Sequence, residues 1–78
     1  MKYIIQQEID GHVEYLSVFH TQKMIREGDR RAFTSQKGSA QTWTSGWLVH
    51  DKRNVIRSYN VFHGAWIKMV EDDWGTED

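Results

Sequence analysis

The chain has 78 residues, with ten Lys and Arg against eleven Asp and Glu, and no Cys or Pro. That length makes one domain burying roughly 60–65% of its unfolded surface, with neither a disulfide nor a thiolate metal site to supplement the core. No apolar run approaches the roughly 18 residues of a membrane span, and the N-terminus turns polar too soon for a signal peptide, so a soluble, cytoplasmic protein is expected.

The kind of apolar residue sets the fold class. Val, Ile, Thr, Tyr, Phe and Trp number 27, whereas Ala and Leu number five. β-branched and aromatic side chains suit a pleated surface, and good helix formers are scarce. The reading is mainly β: an antiparallel meander or small barrel-like sheet, with one short helix allowed within 21–45. The alternative is α+β, with one helix packed on an antiparallel sheet.

A hairpin of strands 2–9 and 12–20 opens the chain. Its odd positions Tyr3, Ile5, Ile9, Val13, Tyr15 and Phe19 are apolar, and Asp10-Gly11 marks the turn. A three-residue loop Ile9-Asp10-Gly11 pairs odd with odd, setting Ile5 against Tyr15 and Gln7 against Val13. Ile4, Leu16 and Val18 then fall on the other face. Thr21 and Gly28 bracket a short helix as cap and stop.

Residues 41–49 fit two patterns. Ala40, Trp43, Trp47 and Leu48 match helical spacing with Ser39 as cap, but Thr42, Thr44, Ser45 and Gly46 are poor helix-interior residues. Strand is the preferred reading. Strands 46–50 and 55–62 then flank a polar turn at 51–54, and a strand 65–70 follows His63-Gly64, with Trp66 beside Val61. The expected core is Ile5, Tyr15, Phe19, Val49, Ile56, Phe62, Trp66 and Ile67.

Charge is divided along the chain. Residues 71–78 hold five acids and no base, while residues 1–70 hold all ten Lys and Arg against six acids. The expected organisation is a globular domain, 1–70, with a flexible acidic tail, 71–78. Such tails are usually solvated and often serve in interactions. Trp74 stands alone among Glu71, Asp72 and Asp73. These four form a candidate partner-binding anchor, or Trp74 folds back onto the sheet.

No catalytic motif stands out. The closest histidines, His12 and His20, are eight residues apart, and a strand spanning them holds them roughly 26 Å from each other. No metal site and no cofactor are expected. Phosphate loops, Cys nucleophiles and Ser elbows are absent. Basic turns carrying Arg30, Arg31, Lys52, Arg53 and Arg57, with aromatic rings nearby, fit a nucleic-acid surface. The near-neutral net charge of −1 differs from the basic balance usual there.

The leading expectation is a non-catalytic protein-binding module, an inhibitor or adaptor docking on a larger protein or nucleoprotein machine. Its size and charge split are compatible with small phage-encoded inhibitors of host defence or host enzymes. The alternatives are a nucleic-acid-binding domain and, third, a small His/Glu nuclease or toxin. An unpaired edge strand offers a route to a homodimer.

Overall fold

Asp10 and Gly11 both adopt positive φ, 52° and 82°. Two such residues in succession make the mirror-image turn whose twist matches paired strands. In the computed structural model, which describes residues 1–59 and 62–76, this turn joins β1 (Lys2–Ile9) to β2 (His12–Leu16). The loop is therefore two residues long, not three. Gln6 faces Tyr15 and Glu8 faces Val13. This corrects the odd-with-odd register: the turn's backbone, not side-chain alternation, sets the pairing.

The sheet is antiparallel, in the order β3-β2-β1-β4. β3 (Phe33–Thr34) borders β2, and β4 (Trp66–Val70) borders β1. The predicted N-terminal hairpin is present, but β2 ends at Leu16 instead of residue 20. There the hairpin parts. Residues 39–43 enter the gap, bonded to the end of β2 through Gln41 N–H to Leu16 O and to the loop after it through Val18 N–H to Ser39 O. Toward β1, Tyr3 and Trp43 exchange both backbone hydrogen bonds, at 2.8 and 2.9 Å.

α1 (Gln22–Glu27) is bounded as its sequence predicts. Thr21 Oγ1 accepts the Met24 N–H, and Gly28 closes the helix at φ 70° in the left-handed region. α2 (Gly46–Ser58) replaces the predicted strands 46–50 and 55–62 up to Ser58. Ser45, rather than Ser39, caps it by accepting the Leu48 N–H. Val49 and Ile56, seven residues apart, fall on one face and are buried. The charges at 51–53 lie within the helix rather than in a hairpin loop, with Asp51 exposed and Lys52 and Arg53 partly buried. The architecture is the α+β alternative: a four-stranded antiparallel sheet with one main helix.

The helix-covered face holds the main core of Ile5, Leu16, Ile25, Ala32, Phe33, Val49, Ile56, Phe62 and Ala65. The Phe33 and Phe62 rings lie 4.8 Å apart. Of the predicted core, Ile5, Val49, Ile56 and Phe62 are buried, and Tyr15 and Ile67 are partly buried. Phe19 and Trp66 are exposed, a correction. Phe19 lies beyond the end of β2, and Trp66 stands on the sheet face away from the helix. Val61, its predicted neighbour, lies outside the described residues.

The opposite face carries Ile4, Gln6, Tyr15 and Val70. Ile4 is fully buried. Residues 71–76 lie against it. The Trp74 ring meets Tyr15 edge-on at 5.0 Å. An added Cβ at Gly75, where φ is 88°, would sit 3.0 Å from the Lys37 carbonyl oxygen, so only glycine fits that approach.

Candidate interaction surface

Ser17 determines where Phe19 points. Its hydroxyl accepts the Phe19 N–H at 3.0 Å, and its carbonyl accepts the His20 N–H at 3.1 Å. His20 Nδ1 donates to the same carbonyl at 2.6 Å. This local turn ends β2 and leaves Phe19 75% exposed. On α2, Trp47 lies on the face away from Val49 and Ile56 and is 74% exposed. Val18 and Leu48 are also about half exposed.

The loop and the helix are neighbours. Burial lowers the His20 pKa below its ordinary 6.5, partly offset by the Ser17 hydrogen bond, and the Lys52 charge lowers it further. Lys52 lies one turn beyond Leu48 on α2. Sequence reasoning placed Phe19 in the core and missed the exposed ring. The available signal was Ser17 itself, whose hydroxyl favours such a turn.

The predicted basic residues separate into groups. Arg30 and Arg31 lie in a 3-10 turn before β3, and each has an acid: Arg30 approaches Glu14 at 3.7 Å, and Arg31 binds Asp29 at 2.7 Å. Arg31 holds the Asp29 carboxyl below its ordinary pKa through hydrogen bonds and charge. Lys52, Arg53 and Arg57 lie on α2. Lys52 sits on one flank of the buried stripe and Arg53 and Arg57 on the other. Arg53 Nη1 is buried without a hydrogen-bond partner. Burial, then the neighbouring Arg57, lowers its pKa.

The predicted acidic anchor is placed on the chain's own sheet. Besides Tyr15, Trp74 has Lys37 Nζ 6.0 Å from its ring centroid. Asp72 pairs with the Met1 amino group, whose hydrogen bond and charge lower its pKa. Glu71 and Asp73 are exposed in side chain, while their carbonyls accept Trp74 and Thr76 N–H groups. Glu77 and Asp78 lie outside the described residues.

Among the described residues, no hydrogen bond or ion pair joins a histidine ring to an acid. No group of three or more His, Asp or Glu there could hold a metal ion. No described helix is long and apolar enough to cross a membrane. Comparison with protein-family models, with curated proteins and with solved structures found no match.

Proposed function

We propose that the chain is a non-catalytic binding module, an inhibitor or adaptor that docks on a larger protein or nucleoprotein machine. The observation that carries this reading is the pair of rings, Phe19 and Trp47, each about three-quarters exposed and each fixed by a short ordered element. Large aromatic side chains held out in water without packing of their own are suited to anchor a partner. Trp74 serves this role less well, because it would first have to leave Tyr15. A cytoplasmic setting fits the absence of Cys. An action like that of phage-encoded inhibitors of host enzymes is compatible with this reading.

The alternative is nucleic-acid binding. It draws support from Arg53 and Arg57, which have no acid partner among the described residues, and from rings able to stack on bases. A pull-down from lysate with and without nuclease separates the two. Protein capture that survives nuclease and is lost in the Phe19→Ala/Trp47→Ala double variant supports the first. Capture that vanishes with nuclease moves the assignment to the second. Capture unchanged by the double variant removes the rings from the interface. Turnover of RNA or DNA by the purified chain would replace both with the His/Glu nuclease.

A further inference from the structure

The backbone pattern of β1 fixes what β4 offers to solvent. Tyr3 directs both its N–H and its C=O to Trp43, away from β4. Main-chain groups alternate sides along a strand, so Lys2, Ile4 and Gln6 are the β1 residues that bond across to Val70, Lys68 and Trp66. The N–H and C=O groups of Ile67 and Met69 therefore point outward. β4 has no second neighbour among the described residues.

Three cations, Arg53, Arg57 and Lys68, lie around this edge, and the exposed acid Glu71 stands only at its C-terminal end. Lys52 acts on His20, and Tyr59 accepts a hydrogen bond from Gln22 Nε2 of α1 at 2.9 Å. Both lie on the flank of α2 that faces α1 and His20. His50, Arg53 and Arg57 occupy the other flank, on the β4 side. Lys68 is exposed at the middle of β4. None of Arg53, Arg57 and Lys68 makes an ion pair among the described residues. Met69 is exposed on the helix side of the strand and Trp66 on the far side.

We propose that the open edge of β4 takes an extended acidic segment of a partner protein as a fifth strand, lying along the Arg53–Arg57 flank of α2. The added strand bonds Ile67 and Met69 through its backbone. Its residues opposite them lie on the Arg53–Arg57 side, and the residue opposite Lys68 carries an acid. A second copy of this chain is a poorer occupant. Antiparallel pairing through Ile67 and Met69 sets Lys68 directly against Lys68, and like charges so opposed repel. The proposal rests on the chain's being a binding module, but it uses a surface separate from Phe19 and Trp47.

The test uses short Thr–Glu or Thr–Lys peptides with three successive charged residues between the Thr residues, so that both faces of the added strand carry charge, and amide hydrogen exchange read residue by residue. The Thr–Glu peptide is expected to slow exchange at Ile67 and Met69 by about tenfold or more, and the Thr–Lys peptide to leave it unchanged. Met69→Pro removes an outward donor and spares the bonds to β1, so it should abolish the effect while β1 amides stay protected. The Arg57→Glu/Lys68→Glu variant should transfer the response to the Thr–Lys peptide. Three results overturn the proposal: Thr–Glu binding without slowed exchange at Ile67 and Met69, an equal response to both peptides, or concentration-dependent protection of these amides in the protein alone. The Phe19→Ala/Trp47→Ala variant should respond to the Thr–Glu peptide as the wild type does. Loss of the response there would place binding on the rings, whereas failure of lysate capture alone leaves the edge intact.

Discussion

The two faces of the sheet are covered by different means. One is closed by helices, with Ile25, Val49 and Ile56 set among Ile5, Leu16 and Phe33. The other is crossed by residues 71–76, an irregular segment whose ring packed on the sheet is Trp74. Yet Ile4 on that face is as fully buried as Ile5 on the other. A segment rich in acids can cover a core when fixed points hold it. Here those points are the Trp74–Tyr15 contact, the Gly75–Lys37 approach and the turn bonds to Glu71 and Asp73.

The comparison breaks first on the helix side. Ile56→Ala leaves a cavity between α2 and the sheet and is expected to cost about 2–5 kcal/mol in urea denaturation. Trp74→Ala should cost about 1–2 kcal/mol, because the ring is only half-buried and lies at the rim. A loss equal to that of Ile56→Ala would make the two faces equal partners. A loss within error would show that the segment adds nothing to the fold.

The smallest effect is expected at His20, on the seam between the Phe19 loop and α2. Burial lowers its folded pKa below the ordinary value, so the unfolded chain binds the proton more readily. Stability is thus full above about pH 6.5 and declines as pH falls from there to the folded value. His20→Gln keeps a side-chain N–H for Ser17 and should flatten stability against pH in that window. A slope identical in wild type and variant would show that His20 is as hydrated folded as unfolded.

The sequence disclosed features settled by a few adjacent residues. Thr21 and Gly28 announce α1, because capping is local chemistry. Asp10-Gly11 marks the turn for the same reason. The register was hidden because Gln6 and Gln7 are both buried. Covering the second face removes the polar side that an alternation argument needs. α2 was hidden because its fully buried residues are only Val49 and Ile56, while Trp47 and Leu48 face solvent. The apolar spacing around Trp43 and Trp47 therefore gave the wrong weight to the wrong residues. Of the interaction surface, the basic residues of α2 were legible as residue types. The exposure of Phe19 and the open edge of β4 depend on where distant strands pair.

With residues 4–7 of β1 buried on both faces, polarity there cannot choose between neighbouring alignments of β1 and β2, and a slip by one residue would be weakly penalised by burial alone. The segment 39–43 supplies the missing discrimination. It grips Tyr3 on one strand, and Leu16 at the end of the other with Val18 in the loop after it, beyond the last hairpin pairs. A shifted hairpin could keep an apolar residue against each face, but it would misalign both sets of those bonds together. The parting of the strands thus works as an error check on their alignment: the chain gives up a few direct hairpin bonds and gains a single admissible register.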